Sequence, residues 1–306
     1  MFTRFGHWSL AVANLDRSTA FYESVLGCAR VGEARPHVSL GAATATRATQ
    51  LERDGQRFEL IQFDRAGDRP RPQPQCNHLG LSHLTVAIDS AEPLIVELER
   101  RAVPVRRHTL GSFVPEAGTA EQQFLFEDPD GNLIETYAPV GPDWNVFDPA
   151  ASTDTTPSVP TGRAELGVVQ HLSHLSLCIS DPEGTRPFYE QVLGLDLVAA
   201  MDWKGEGPSR VMDVGDATLT TWLYTRDGQR IEIIYFEEPR SPRRPKPQLD
   251  DLGLSHLTFE VDDVDAAAQS LRHAGVVVVH DPSTSAQASS FFFEDPEGNF
   301  IRAVAN

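Results

Sequence analysis

The chain opens with a stretch in which large apolar residues alternate with small or polar ones. Between His7 and Val12, every second residue from Trp8 onward is apolar, and the residues between them are small or polar. The same alternation returns at Leu81–Ile88, where His83 lies on the less apolar face. A period of two predicts strands with one buried face and one hydrated face.

A helix is predicted after each of these strands. Asn14 or Asp16 can cap a helix over Arg17–Leu26, whose apolar residues recur at helical spacing, and Gly27 can end it. A second helix is predicted over Ala91–Arg101. The chain therefore begins with two strand-helix units.

Each helix is followed by short β-prone segments that turn residues separate. In the first unit the last β-prone segment is Arg57–Phe63. In the second unit it is the C-terminal part of Phe124–Tyr137. The second contains the turn Asp-Pro-Asp-Gly-Asn, in which Asp128 can accept hydrogen bonds from the following backbone and Gly131 or Asn132 can adopt positive φ. Both units read as βαβββ modules.

The second half of the chain repeats the first. FYESVLG at Phe21–Gly27 recurs as FYEQVLG at Phe188–Gly194, and EDPDGN recurs as EDPEGN near the C-terminus. The offset between copies is 167 residues at His7 and 173 at Glu59, which indicates a six-residue insertion in the second half before Glu232. Four copies of one βαβββ module are therefore predicted, which we number 1 to 4 in chain order.

The predicted fold is α+β, with the four modules forming two tandem cupped mixed sheets. Residues 1–138 would be an N-terminal domain carrying the metal site, and residues 166–306 a C-terminal domain. Residues 139–165, rich in Pro, Ser, Thr and Asp, would link them. A proline-rich connector is predicted at 64–75 between modules 1 and 2.

Composition limits the classes of partner. With 44 acidic and 26 basic residues, the chain has a formal net charge of −18, which argues against nucleic acid or an anionic membrane as partner. Its three cysteines have no CxxC spacing and are typical of reduced thiols in a cytoplasmic protein. No signal peptide or membrane helix is expected, the partner is expected to be a small molecule, and the oligomeric state, a homodimer included, stays open.

Histidines and glutamates recur at two equivalent places on the hydrated faces. A histidine heads the first strand of each module, and a glutamate lies in the middle of the last strand of modules 1 to 3. In the first half these residues are His7, Glu59, His83 and Glu135. Two imidazoles and two carboxylates suit a divalent metal such as Fe, Ni, Zn, Co or Mn. We predict Glu59 and Glu135 also as catalytic carboxylates, with Tyr137 on the face of Glu135 orienting substrate.

The second half differs at one position. His174, Glu232 and His256 repeat the pattern, but Arg302 stands where the first half has Glu135. A guanidinium cannot ligate a metal, so this second site is expected to be degenerate, with Arg302 pairing with Glu232 or anchoring an anion.

The strand-head histidines, the FYESVLG and FYEQVLG helices and the EDPDGN and EDPEGN turns together resemble the vicinal oxygen chelate superfamily of glyoxalases, bleomycin resistance proteins and extradiol dioxygenases. The resemblance covers both halves apart from the central linker. It implies paired βαβββ modules that hold one metal, with His7, Glu59, His83 and Glu135 at the ligand positions.

This resemblance implies an enzyme but leaves the reaction open. A four-ligand set resembles glyoxalase I and the epimerases, which move a proton through an enolate-type intermediate. The four-module length resembles the Fe(II) extradiol dioxygenases, although Gln122–Glu127 lacks the histidine and tyrosine that those enzymes have before the turn. We predict an isomerase, epimerase or lyase, with a dioxygenase or a non-catalytic drug- or metabolite-binding resistance protein as alternatives.

Overall fold

The computed structural model describes residues 2–31, 39–40, 43–65, 74–113, 120–140, 168–242, 245–279 and 289–306. Most of the predicted linker at 139–165 and of the connector at 64–75 lies outside these ranges. None of the described helices is long and apolar enough to cross a membrane.

The described chain contains the four predicted modules. Module 1 consists of β1 (Phe2–Ala11), α1 (Leu15–Ser24), β2 (Ala29–Arg30), β3 (Ser39–Leu40), β4 (Ala43–Arg53) and β5 (Gln56–Phe63). Module 2 consists of β6 (Gly80–Ile88), α2 (Ala91–Arg100), β7 (Val105–Phe113), β8 (Ala120–Glu127) and β9 (Leu133–Val140). Module 3 consists of β10 (Val169–Ile179), α3 (Pro182–Pro187) continued by a π-helical turn (Phe188–Val192), β11 (Asp196–Lys204), α4 (Glu206–Val211), β12 (Thr218–Arg226) and β13 (Gln229–Glu238). Module 4 consists of β14 (Gly253–Val261), α5 (Val264–His273), β15 (Ser290–Glu294) and β16 (Phe300–Ala305).

These strands form two mixed sheets. One has the order β15-β16-β14-β1-β5-β4-β2, with β3 paired to β4, and combines modules 1 and 4. The other has the order β11-β12-β13-β10-β6-β9-β8-β7 and combines modules 2 and 3. We call them the 1/4 sheet and the 2/3 sheet. The predicted α+β fold with two mixed sheets is confirmed.

The way in which the modules pair differs from the expectation of two tandem domains. In each sheet, the first strands of two modules pair antiparallel at the centre: β1 with β14, and β10 with β6. The last strand of each module then lies parallel to its own first strand, as β5 does to β1 and β9 to β6. Each sheet therefore takes one module from each half of the sequence.

A shared hydrophobic core joins the two sheets. The apolar faces of the four first strands contribute Trp8, Leu84, Leu175 and Leu257, which are all almost fully buried and belong to one cluster. The ring of Trp8 stacks on Phe58 with centroids 4.4 Å apart. The apolar face predicted from the alternation is thus the core face, and the histidine-bearing face is left for other chemistry.

The predicted helix over Arg17–Leu26 is observed as α1 at Leu15–Ser24. It begins earlier because Asn14 is the N-cap, and its side chain accepts a hydrogen bond from the backbone N–H of Arg17 at 2.9 Å. Gly27 follows the helix with φ of +68°, the left-handed conformation that favours glycine.

The repeated Asp-Pro turn connects modules that adjoin in sequence. Asp128 Oδ1 accepts hydrogen bonds from the backbone N–H groups of Asp130 and Asn132, at 2.9 and 2.8 Å, as predicted. Its Oδ2 accepts a hydrogen bond from the Tyr22 hydroxyl of α1 at 2.9 Å. The turn of module 2, in the 2/3 sheet, is thereby fixed to the helix of module 1.

Candidate metal centre

The polar face of the 2/3 sheet brings together two histidines and two glutamates. His174 of β10 lies opposite Thr85 of β6 across the central pair, and Glu135 of β9 lies beside Thr85 on the other flank. Glu232 of β13 lies beside Ser176 of β10. His83 lies near the start of β6. The four side chains therefore come from β13, β10, β6 and β9, the four central strands of one sheet.

The four side chains are close to one another and buried. His83 Nε2 lies 3.2 Å from Glu135 Oε2, and His174 Nε2 lies 3.3 Å from Glu232 Oε2. Ligand atoms of His83, Glu135 and Glu232 all lie within 4.8 Å of one another. Each of the four residues is less than 10% exposed. A donor set of two imidazoles and two carboxylates, with no lysine or arginine in it, fits a divalent transition metal.

Hydroxyl groups fix the orientation of this donor set. The hydroxyl oxygens of Ser82 and Ser173 lie 3.0 and 2.9 Å from Nδ1 of the histidine that follows each serine. Thr85 donates to Glu135 at 3.1 Å, and the Ser176 hydroxyl donates to Glu232 at 3.1 Å. With Nδ1 engaged, each imidazole presents Nε2 to the centre, an arrangement typical of metal-ligating histidines.

The electrostatics of the centre favour a charged donor set. Burial opposes ionisation of Glu232, but the charge and hydrogen bond of His174, the charge of His83 and the Ser176 hydroxyl outweigh it and lower the pKa of this carboxyl. Burial likewise opposes protonation of His83, yet its interactions with Cys76 and Glu135 raise its pKa well above the ordinary value. Metal binding here would have to displace a proton from His83.

The predicted ligand set is divided between the two sheets. His83 and Glu135 lie in the 2/3 sheet, whereas His7 and Glu59 lie in the 1/4 sheet, where their Nε2 and Oε2 atoms are 3.6 Å apart. The prediction that His7, Glu59, His83 and Glu135 converge was therefore wrong in its pairing. The modules pair crosswise, so His174 and Glu232 complete the set with His83 and Glu135.

The proposed second set is divided in the same way. His174 and Glu232 are in the 2/3 sheet, and His256 and Arg302 are in the 1/4 sheet. Arg302 and Glu232, which were predicted to pair, lie in different sheets. Arg302 is instead on the strand beside Thr258, within the field of Glu59.

The polar face of the 1/4 sheet contains a buried cation. Arg302 is only 8% exposed, and burial lowers its pKa although the charge of Glu59 acts in the opposite direction. Burial, Arg302 and His7 together lower the pKa of His256 well below the ordinary value of histidine. His256 is therefore neutral at physiological pH, beside a permanent cation.

Tyr137 faces the 2/3 centre, on the strand face predicted for it. Its hydroxyl lies 3.1 Å from His171 Nε2 and 3.4 Å from Ser173 Oγ, and Ser173 in turn contacts His174. Roles for Ser82, Ser173 and His171 were not predicted from the sequence. A Ser-His pair that heads three of the four first strands was the signal that could have identified the two serines.

Comparison with known proteins assigns the family. The family model for the Glyoxalase/Bleomycin resistance protein/Dioxygenase superfamily matches residues 4–136 and 171–303. The chain belongs to this superfamily. Other superfamily members include a 2-epi-5-epi-valiolone epimerase from Actinomyces sp., which is 35% identical over 130 residues, covering 40% of this chain and 69% of that protein.

Two further superfamily proteins are similar over almost the whole chain. A catechol-2,3-dioxygenase from Bacillus subtilis (strain 168) is 25% identical over 320 residues, covering 99% of this chain and 97% of that protein. The crystal structure of glyoxalase I from Zea mays superposes with a TM-score of 0.58 at 16% identity, covering 99% of this chain and 92% of that one. At this identity the structural likeness establishes the shared fold.

Proposed function

We propose that the chain is a divalent-metal-dependent enzyme whose centre is formed by His83, Glu135, His174 and Glu232. The observation that carries this proposal is that ligand atoms of His83, Glu135 and Glu232 lie within 4.8 Å of one another, with His174 Nε2 3.3 Å from Glu232 Oε2. Hydroxyl groups orient all four buried side chains. A divalent cation would offset the cost of burying two carboxylates, a cost that the raised pKa of His83 offsets only in part.

The proposed reaction is a proton transfer next to a carbonyl group, as an isomerase, epimerase or lyase performs it. A bound divalent metal would supply Lewis-acid polarisation of two adjacent substrate oxygens. Glu135 and Glu232 both face the cavity, and a carboxylate in that position can take the proton and return it as a general base and acid. Glu59 has no part in this chemistry because it lies in the other sheet.

Two features support a role for Tyr137 and Thr85 in the proposed reaction. Both line the same cavity as Glu135, His174 and Glu232. Thr85 holds Glu135 in place through its hydrogen bond, and Tyr137 reaches His174 through Ser173. We assign them to orientation of the donor set and of the substrate.

Some of the similar proteins support proton transfer, and another supports a different reaction. The relative with 35% identity is an epimerase, and a lactoylglutathione lyase from Pseudomonas aeruginosa is 27% identical over 143 residues. The relative that spans the whole chain is a dioxygenase, and this favours iron-dependent ring cleavage as the second candidate. Retention of both carboxylates in the donor set favours the first.

Metal analysis tests the proposal. The chelator-treated protein is reconstituted separately with Zn²⁺, Ni²⁺, Co²⁺, Mn²⁺ or Fe²⁺, and bound metal is measured per chain after desalting. One tightly bound equivalent is expected for at least one of these metals. Absence of stoichiometric binding for all five would contradict both enzyme assignments.

Isotope exchange and oxygen consumption then separate the two reactions. With a panel of small hydroxycarbonyl compounds in D₂O, proton transfer would incorporate deuterium at the carbon next to the carbonyl without consuming O₂. Oxygen consumption by the Fe²⁺-loaded protein with catechol, and no deuterium incorporation, would establish the second candidate instead.

A further inference from the structure

The cavity of the 2/3 sheet is lined by two chemically different sets of side chains. The polar set contains Thr85, Glu135, His174 and Glu232. The apolar set contains Trp203, Pro208, Val211, Met212 and Leu219. The polar set belongs to the proposed metal centre, so the apolar set is available to contact the remainder of a substrate.

The apolar set comes from one segment of module 3 that differs from its copy in module 1. The offset between the two modules is 167 residues at Gly27 and Gly194 but 173 at Arg53 and Arg226. The six-residue insertion therefore falls between Leu195 and Thr225, the segment that contains α4 and all five apolar residues. Module 3 has acquired chain length at the place where it forms the cavity wall.

This wall is held in place before any ligand binds. Asp213, directly after α4, accepts a hydrogen bond from Arg106 Nη1 at 3.1 Å and lies 2.9 Å from His108 Nε2, both on β7 of module 2. Ser209 of α4 accepts a hydrogen bond from the backbone N–H of Ala217 at 2.7 Å. A preformed apolar wall binds an apolar group with little cost of ordering.

The charge of the cavity disfavours ligands that carry an anionic group away from the metal. Of the described residues that line it, none is lysine or arginine, while Glu135 and Glu232 both carry carboxylates. A substrate with an anionic group away from the metal would have to bury that group without a counter-ion and near two acidic side chains. Peptide-like thiol cofactors such as glutathione, with two carboxylates, fit this cavity poorly.

We propose that the site takes a small compound with two adjacent oxygens and one compact apolar group, an aromatic ring or a branched alkyl chain, and no anionic group elsewhere. The two oxygens face the donor set, and the apolar group packs on Trp203, Met212 and Leu219. This inference rests on the proposed function, because the metal would hold the two oxygens.

Three hydroxamates test it as probes, since each chelates a metal through two adjacent oxygens. Acetohydroxamate carries a methyl group, benzohydroxamate a phenyl ring, and 4-carboxybenzohydroxamate the same ring with a distal carboxylate. Their dissociation constants for the Zn²⁺-loaded protein are measured by calorimetry. Benzohydroxamate should bind at least about tenfold more tightly than acetohydroxamate, since burial of a few additional carbons gives that factor. The distal carboxylate should remove this gain.

Two variants test whether the difference in probe affinity depends on the apolar wall of the cavity. Met212→Lys should weaken benzohydroxamate binding and strengthen binding of the carboxylated probe, reversing their order. Leu197→Ala, which shortens an exposed apolar side chain on β11 outside the cavity lining, is the matched control and should change none of the three constants. Retention of one Zn²⁺ per chain and an unchanged circular dichroism spectrum in Met212→Lys show that the variant is folded with an intact centre.

The outcomes separate this inference from the proposed function. If acetohydroxamate binds but the phenyl ring adds nothing, or the distal carboxylate is tolerated, the substrate class is wrong and the metal centre stands. If none of the hydroxamates binds and no Zn²⁺ is retained, the proposed function fails and the inference fails with it. If Met212→Lys folds and leaves the order of the probes unchanged, the apolar wall does not contact the ligand.

Discussion

The two sheets carry the same design with one decisive substitution. His174, Glu232 and His83 of the 2/3 sheet correspond to His7, Glu59 and His256 of the 1/4 sheet, but Glu135 corresponds to Arg302. The fourth equivalent position is therefore a carboxylate in the 2/3 sheet and a permanent cation in the 1/4 sheet. The polar face of the 2/3 sheet can attract a metal cation, whereas the polar face of the 1/4 sheet already contains the positive charge of Arg302.

The same histidine position responds in opposite directions in the two sheets. Burial lowers the pKa of both His83 and His256, but Cys76 and Glu135 reverse this for His83, whose pKa lies well above the ordinary value. For His256, Arg302 and His7 add to the effect of burial, and its pKa lies well below the ordinary value. Equal burial thus gives opposite shifts in pKa because the neighbours differ: Cys76 and Glu135 lie beside His83, whereas Arg302 and His7 lie beside His256.

The supporting residues have diverged in part: Ser255 still lies 3.1 Å from His256 Nδ1, but other hydroxyl groups of the 2/3 sheet have no counterpart in the 1/4 sheet. Ser173, which contacts His174, corresponds to Gly6 before His7, and Tyr137 corresponds to Val304. The hydroxyl network from Tyr137 through Ser173 is thus specific to the 2/3 sheet. A site that had lost its metal would no longer need these groups, so their absence agrees with the substitution at Arg302.

The largest expected effect comes from removing the carboxylate that distinguishes the sheets. Glu135→Gln should lower the affinity for the bound divalent metal by at least about 100-fold, because an anionic ligand becomes a neutral amide that binds metals weakly. The measurement is competition with a chromophoric chelator of known affinity.

The matched control is the equivalent change in a glutamate of the other sheet. Glu59→Gln should leave metal affinity within about twofold, since Glu59 lies on the 1/4 sheet. If both variants lose the metal to the same degree, the two glutamates share one site and the crosswise pairing of modules is wrong.

Much of this site could be predicted from the sequence, and its assembly could not. The alternation at His7 and His83, the repeated turns and the mid-strand glutamates gave the modules, the fold class and all eight candidate positions. Those residues are local in sequence, and the period of two places each on a definite strand face.

Local sequence patterns do not determine which module pairs with which. All four first strands share one alternation of small or polar and large apolar residues, so β1 can pair equally well by pattern with β6 or with β14. Contacts such as that between Tyr22 and Asp128 show that adjacent modules do meet, but at a helix and a turn rather than across a sheet. The choice depends on long-range packing.

The second expected effect is a gain of function in the 1/4 sheet. Arg302→Glu should raise the stoichiometry from one to two metal ions per chain, because it restores a fourth ligand and removes the buried cation beside His256. Bound metal per chain after desalting is the measurement. Arg302→Met, which removes the charge without adding a ligand, should stay at one ion. A single ion in a folded Arg302→Glu variant would show that the 1/4 face has lost more than one ligand.

A smaller effect is expected from the hydroxyls that orient the histidines. Ser173→Ala should weaken metal binding by about tenfold, since the Ser173 hydroxyl contacts His174 Nδ1 at 2.9 Å and helps to fix the orientation of the ring. Ser255→Ala removes the corresponding 3.1 Å contact to His256 in the 1/4 sheet and should leave metal affinity unchanged. Equal losses in the two variants would mean that the change acts through general stability.

The smallest expected effect is the pH dependence that His256 confers on folding. The unfolded chain protonates this histidine near pH 6.5, whereas the folded chain keeps it neutral well below that pH. Acid therefore stabilises the unfolded state, so between pH 6.5 and 5.5 the wild type should lose about 1 kcal/mol of unfolding free energy relative to His256→Gln. Urea denaturation of both proteins at each pH measures this difference, with the exposed His273→Gln as control. A difference between wild type and His256→Gln that stays constant with pH would show that His256 titrates normally, and the cationic character assigned to the 1/4 face would then be wrong.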